Sequence, residues 1–311
     1  MYLNFYKLEK HPFHITPDPE FLFLSASHRE AISSIVYGIE QRKGFIAITG
    51  EVGVGKTTIL RSYLQQIDPN KFKIIYIFNT ALSFHQLLKQ IVFELGIPVA
   101  NEDAYELVNR LFQYIIREYN KKQSIIFIID EAQNMPTDTL ERLRLLSNLE
   151  TAEDKLLQII LVGQPELETK LEMPELRQLK QRIAVYGRIN PLGPDESMAY
   201  IVHRLMKAST FYSPIFTQDA MNIIIEEARG IPRVINILCD NALITGLGYQ
   251  RNPIDSAIVE EVVADINGGK PRQVSSPVHS PVSRPVSNSA SKPVSGWRRA
   301  LNFLVSLVKF R

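Results

Sequence analysis

The 311-residue chain is poor in several things, and each shortage excludes a class of protein. A single cysteine, Cys239, rules out an internal disulfide framework and every multi-cysteine zinc pattern, and it suits a reducing compartment. It lies in the apolar, helix-patterned run VINILCDNALI, which reads as a packed thiol rather than a nucleophile. No run of about 18 uncharged apolar residues occurs, so the sequence supports no membrane-spanning helix. The N-terminal stretch MYLNFYKLEKHPFHITPDPE lacks the basic-then-apolar order of a secretory signal. From Ile266 to Arg311 there is no acidic residue at all. Eight of the chain's 35 Lys+Arg and none of its 33 Asp+Glu lie there, so a net charge of +2 conceals a body at −6 and a tail at +8. Such a tail suits an anionic partner, either a membrane surface or nucleic acid.

What is present is a chain 45% apolar, enough to bury a core and, at this length, to form two compact units. GFIAITG (44–50), KIIYIFN (73–79), SIIFIID (124–130) and LLQIILVG (156–163) are short and apolar on both faces, as parallel strands covered by helices are. Between them lie amphipathic segments such as SFHQLLKQIVFELG and AYELVNRLFQYIIREYN. The alternation predicts a parallel α/β sheet over residues 28–190, behind a leader spanning 1–27. Strand signals stop after NPLGPDE, and 191–266 reads as a small all-helical domain. Residues 267–296, with their recurring Pro-Val-Ser units, cannot bury a core and read as a flexible linker.

Residues 50–57, GEVGVGKT, fit G-x-x-x-x-G-K-[ST] at every fixed position. Gly50, Gly53 and Gly55 let backbone N–H groups approach phosphate oxygens, with Glu51, Val52 and Val54 completing the loop and Thr58 following it. Lys56 can reach the outer phosphates of ATP, and the Thr57 hydroxyl can ligate Mg²⁺. An apolar strand precedes the motif and a helix follows, so the anion would face the helix's positive end. IIFIID then ends in Asp130-Glu131. Asp130 at a strand's end can hold Mg²⁺, and Glu131 can take the proton of an attacking water. Alone, two carboxylates at a strand end are common and merely solvated; beside a phosphate loop they point to hydrolysis.

With these motifs in place the sequence resembles the AAA+ superfamily, and within it the ATPases of the general secretion pathway A (ExeA) type, over roughly residues 1–266. The resemblance rests on NFYKLEKHPFHITPDPEFLFLSASHREAISSIVYGI, GFIAITGEVGVGKTT, IIFIIDEAQNM, IILVGQPEL, LRQLKQRI and GIPRVINILCDNAL. It implies a P-loop NTPase core with a helical lid domain. It further implies that Gln164 orients the lytic water, that Arg182 is an arginine finger given to a neighbouring subunit, and that Arg233 is a lid arginine at the γ-phosphate. Arg177 and Arg188 compete with Arg182 for the finger, and each arginine has an alternative as a surface ion-pair partner. By the same resemblance Pro12 and Phe13 lie near the adenine. Fuller members of the family continue into a membrane-spanning helix and a peptidoglycan-binding domain, and neither motif occurs in this sequence.

The tail ends in WRRALNFLVSLVKFR (297–311). At about 100° per residue Arg298, Arg299, Asn302, Ser306 and Lys309 fall on one arc and Trp297, Ala300, Leu301, Phe303, Leu304, Val305, Leu307, Val308 and Phe310 on the other, with only the terminal Arg311 out of place. Its length of about 22 Å is short of the roughly 30 Å hydrocarbon core, so it reads as an interfacial helix. Docking on a partner protein's groove or on its own body are the alternatives. The expectation is a homo-oligomeric ATPase, a hexameric ring being one form, peripheral on the cytoplasmic face of a bacterial inner membrane. It would serve an unknown envelope-complex protein in secretion, pilus or polysaccharide export. An ATP-dependent DNA-binding regulator of the transposition AAA+ type is the other reading, disfavoured because an apolar arc has little use on a phosphate backbone.

Overall fold

The computed structural model describes residues 2–14, 18–78, 80–98, 103–151, 154–209 and 214–268. The expected amphipathic helix at 297–311, and the linker from residue 269, lie outside the described residues. The chain divides into two compact units. One takes the described residues of Met1–Phe13, Gly193–Ala228 and Ile235–Arg311; the other takes His14–Leu192 and Arg229–Val234. The stretch 1–27, read from sequence as one leader, is therefore divided between them.

The second unit is a five-stranded parallel sheet in the order β2-β3-β4-β1-β5. Its strands are β1 (Phe45–Gly50), β2 (Phe72–Ile77), β3 (Ser124–Ile129), β4 (Leu157–Gly163) and β5 (Ile183–Ile189). α2 (Ala26–Glu40) precedes the sheet, and the helices between its strands are α3 (Lys56–Leu64), α4 (Phe84–Glu94), α5 (Ala104–Asn120), α6 (Thr137–Leu146), α7 (Pro165–Leu171) and α8 (Arg177–Lys180); α1 (Tyr2–Tyr6) belongs to the other unit. Every residue of β1, β3 and β4 is buried, as their two-sided apolar composition requires. Alternate side chains divide between two cores. Phe45, Ala47, Ile125, Phe127, Ile129, Ile159 and Leu161 pack with Leu87, Leu88, Leu107, Leu111 and Leu143 of α4, α5 and α6. Ile46, Ile48, Ile126, Ile128, Ile160 and Val162 pack with Ala31, Ile35, Ile39, Ile59 and Leu60 of α2 and α3. The sheet is thus covered on both faces, and all strands deliver their C-terminal ends to one edge.

β5 was not foreseen as a strand. IAVYGRI alternates buried and exposed along its length, because it is an edge strand paired only to β1 among the described residues. Its half-polar composition carries no continuous apolar signal.

The first unit is helical: α1, α9 (Pro194–Lys207), α10 (Gln218–Ala228), most of α11 (Pro232–Gly248) and α12 (Ser256–Ile266). Asp255 caps α12 through the Ile258 N–H. Cys239 is fully buried in α11, and burial pushes its thiol well above its ordinary range, in keeping with a packing role. Among the described residues no helix is long and apolar enough to cross a membrane.

Candidate functional site

The phosphate motif turns between β1 and α3. Gly53 and Gly55 hold φ of 83° and 103°, where L side chains are rarely found. A Cβ on Gly53 would lie 2.8 Å from Arg233 Cβ, and one on Gly50 would lie 2.6 Å from the Ile189 carbonyl oxygen, so the loop also has no room for side chains there. Gly55 is the N-cap of α3 and no side chain caps the helix. The first N–H groups of a helix have no acceptor within it, and they are the donors a phosphate takes. His28 steadies the loop from α2. Its Nδ1 accepts from the Ser25 N–H at 3.1 Å, so the proton sits on Nε2, which donates to the Val54 carbonyl at 2.9 Å.

Lys56 is buried, and its Nζ donates to the carbonyls of Gly50 at 2.7 Å and Glu51 at 3.0 Å. Desolvation lowers its pKa, against the upward pull of Glu131, Asp130, Glu51 and Glu166. The Thr57 hydroxyl donates to Asp130 Oδ2 at 2.9 Å, and the Tyr76 hydroxyl donates to the same oxygen at 2.7 Å. Tyr76 is held protonated by burial, then by its bond to Asp130, which push its pKa far up.

Glu131 stands two residues beyond β3 in a left-handed backbone conformation, φ 54°. Its own N–H donates to Asp130 Oδ1 at 3.0 Å, and its carbonyl accepts from Thr80 Oγ1 at 3.0 Å. That backbone is sterically costly for a non-glycine residue. It sends adjacent carboxylates to different partners. Glu131 Oε2 accepts from Gln164 Nε2 at 2.9 Å and from Gln133 Nε2 at 2.6 Å.

Thr57, Asp130, Glu131, Gln164 and Lys56 therefore converge at the C-terminal edge of the sheet. A hydroxyl and a carboxylate in contact are hard oxygen donors of the kind Mg²⁺ takes alongside phosphate oxygens and water. Among the described residues no group of three or more His, Cys, Asp or Glu could hold a metal alone. A two-ligand site completed by nucleotide fits this donor set.

The arginines divide. Arg233 is exposed, and its N–H donates to the Gly53 carbonyl at 3.3 Å, which places it at the loop. Arg182 lies before β5, where its guanidinium donates to the Arg144 carbonyl at 3.4 Å, to Ser147 Oγ at 3.2 Å and to Asn148 Oδ1, binding the C-terminal end of α6. Arg188 is 3.8 Å from Glu168, and Arg177 is exposed on α8. Pro12 and Phe13 sit in the helical unit. The Pro12 carbonyl accepts from Arg204 Nε, and Phe13 is 1% exposed with its ring 6.4 Å from that of Phe216. The leader residue that lines a cavity beside α3, together with Thr58, Arg61, Ser62 and Gln65, is Pro19. His28, Tyr76 and Gln133 were not singled out from the sequence. Only the Gln within DEAQ carried a signal, as a polar residue just past the two carboxylates.

The chain is similar in sequence and fold to known proteins. The AAA domain family matches residues 39–171. General secretion pathway protein A of Aeromonas hydrophila is 38% identical over 269 residues, 86% of this chain and 49% of that protein. An uncharacterized HTH-type transcriptional regulator of Methanocaldococcus jannaschii is 29% identical over 166 residues, 51% of this chain and 39% of the other. The chain thus spans about half or less of the length of these relatives. In fold it is similar to the Aeropyrum pernix ORC2 protein, solved as ADPNP-ADP complexes, with a TM-score of 0.61 at 16% identity over 83% of this chain and 72% of that one. A phosphate loop backed by an Asp-Glu pair on a parallel sheet, together with these likenesses, shows that the chain is a P-loop ATPase carrying an AAA domain at residues 39–171 and is similar over 86% of its length to general secretion pathway protein A.

Proposed function

We propose that this ATPase turns over ATP with Glu131 as general base and that it works as an oligomer at the cytoplasmic face of an inner membrane, on an envelope machine. The observation that carries the catalytic part is the carboxylate of Glu131, fixed by two side-chain amides beside the Thr57–Asp130 pair. Thr57 and Asp130 would hold Mg²⁺, which supplies charge neutralisation on the outer phosphates. Lys56 adds a fixed positive charge there once a phosphate oxygen replaces its carbonyl partners. Glu131 takes the proton as a water attacks the terminal phosphorus and the bond from that phosphorus to the bridging oxygen breaks, ADP leaving with that oxygen, and Gln164 orients the water. Arg233, exposed at the loop, is suited to report the presence of the terminal phosphate. A trans arginine from a second copy would couple hydrolysis to assembly; Arg182, Arg177 and Arg188 are the candidates, and the engagement of Arg182 with α6 weighs against it.

Work in secretion is supported by the likeness to General secretion pathway protein A. Membrane attachment is supported by the basic, amphipathic sequence 297–311. Two experiments test the proposal. Lys56→Ala is expected to lose nucleotide binding, and Glu131→Gln to keep it while turnover falls about 10²- to 10⁴-fold; wild-type hydrolysis in Glu131→Gln rejects the base assignment. Flotation with anionic liposomes is expected for the full chain and not for a chain ending at Gly269, whereas a salt-sensitive DNA shift without flotation would favour the nucleic-acid reading.

A further inference from the structure

Gln133, the last residue of DEAQ, has no role in the reading so far, yet its side chain hydrogen-bonds both Glu131 and Gln164. Its two amide atoms can be told apart by chemistry. The Gln164 backbone N–H can only donate, so the atom it meets at 3.1 Å is Gln133 Oε1. The other end is then Nε2, 2.6 Å from Glu131 Oε2, where a carboxylate can only accept. Gln164 Nε2 reaches the same oxygen at 2.9 Å. Three residues thus close a ring in which Glu131 Oε2 is held by two amides and Glu131 Oε1 is left for a water.

The turn that carries Gln133 is itself anchored. Residues Ala132–Asn134 form a single 3-10 turn, and Lys170 Nζ donates to the Gln133 carbonyl at 3.0 Å and to the Met135 carbonyl at 2.5 Å. Gly163 at the end of β4 leaves the space the side chain occupies: a Cβ there would lie 2.9 Å from Gln133 Oε1 and 2.8 Å from Leu167 Cδ2.

The two amides on Oε2 are not equivalent. Gln164 bonds Glu131 through one N–H and keeps a second N–H and Oε1 with which to orient the attacking water, so its side chain serves two partners. Gln133 is held at its far end by the Gln164 backbone N–H and gives its Nε2 to the carboxylate. We propose that Gln133 is a positioning residue for hydrolysis: it keeps the Glu131 carboxylate aimed, sharing Oε2 with Gln164, and it fixes the Gln164 backbone at the same time. This role rests on Glu131 being the base.

The test uses the full chain and the variant Gln133→Met, which keeps length and shape and removes both hydrogen-bonding atoms. Expected is a fall in kcat of about 10- to 100-fold, the size seen when a partner that orients a reactive group is lost, with KM and the affinity for a fluorescent ATP analogue within about threefold of wild type. Gly163→Ala, which crowds Gln133 without removing it, is expected to show the same split. Adding Gln133→Met to Glu131→Gln is expected to cost nothing further in single-turnover rate, because the first residue acts through the second. Wild-type kcat in Gln133→Met overturns the proposal, as does parallel loss of affinity and kcat, or a double variant in which the two losses multiply. Should Gln133→Met be insoluble, the kcat-against-KM split in Gly163→Ala decides alone. If Glu131→Gln itself hydrolyses normally, the base assignment has failed, which is a separate result.

Discussion

Both units bury charge, and they do so to different ends. In the sheet unit Lys56 and Asp130 are 6% and 5% exposed; in the helical unit Arg204 is 7% exposed. Lys56 is held against a desolvation penalty with two carbonyls of its own loop as acceptors. Asp130 spends one oxygen on two hydroxyls and the other on a backbone N–H. A phosphate or a metal offers these groups stronger partners than they have. Arg204 is placed otherwise. It donates to the Pro12 carbonyl and, at 2.9 Å, to the Tyr200 hydroxyl, which in turn donates to Asn236 Oδ1 at 2.9 Å. It joins the N-terminal segment to α9 and α11, alongside the bonds from the Glu9 N–H to the Ala208 carbonyl at 2.7 Å and from Tyr2 to Asp240 at 2.6 Å. A buried charge therefore signals chemistry where a ligand would improve its partners, and architecture where the fold already satisfies it.

That contrast can be broken most sharply by Arg204→Ala. Losing a buried cation's hydrogen bonds to Pro12 and Tyr200, and leaving both acceptors short of a donor, is expected to destabilise the helical unit by about 3 kcal/mol or more. A lowered melting temperature and faster proteolysis near residue 13 are the readouts. Nucleotide affinity of the protein that remains folded should be unchanged. Asp130→Asn serves as the opposite case, with activity lost and melting kept. If Arg204→Ala melts normally, the architectural reading fails.

A smaller effect is expected from Tyr76→Phe. Asp130 keeps Thr57 and loses its second hydroxyl donor, so the carboxylate is less firmly oriented. Partners that orient a metal-binding carboxylate are worth about 10-fold or more in metal affinity. The Mg²⁺ concentration for half-maximal ATPase activity should rise by roughly that factor, with stability little changed because Tyr76 is at an edge strand. An unaltered Mg²⁺ dependence would make Tyr76 a packing residue and move it to the other side of the comparison.

The phosphate loop and the Asp130-Glu131 pair were legible because their chemistry is written in contiguous residues, with spacing set by the loop and by the end of one strand. Gln164 and Arg233 were named through resemblance, and their placement beside Glu131 and Gly53 depends on how β3, β4 and α11 come together. Tyr76 and His28 left no mark in the sequence. Tyr76 reaches Asp130 only through the register of β2 on β3, with Tyr76 opposite Ile128, and His28 reaches Val54 across two elements that sequence spacing does not relate. β5 was missed because an edge strand needs only one apolar face. Pro12 and Phe13 carried a family expectation, and Phe13, a large apolar side chain, is buried beside Phe216 within the helical unit.

The smallest effect tests the Lys56 side of the comparison in isolation. Burial holds the folded-state pKa of Lys56 below its ordinary value of 10.5. Between those two values the unfolded chain binds more protons than the folded one, so stability rises with pH there, and below the window the penalty is present in full. Buried tyrosines act with the opposite sign and higher up. Tyr6, pushed up to about 12, remains protonated in the fold while the unfolded chain ionises above about 10, so stability falls again. Lys56→Met removes only the first contribution. In nucleotide-free, magnesium-free buffer its urea midpoint should exceed that of wild type at pH 7, and the gap should narrow as pH approaches 10. A gap that stays constant with pH would mean that the methionine merely packs better, and Lys56 would then carry no charge penalty for a phosphate to relieve.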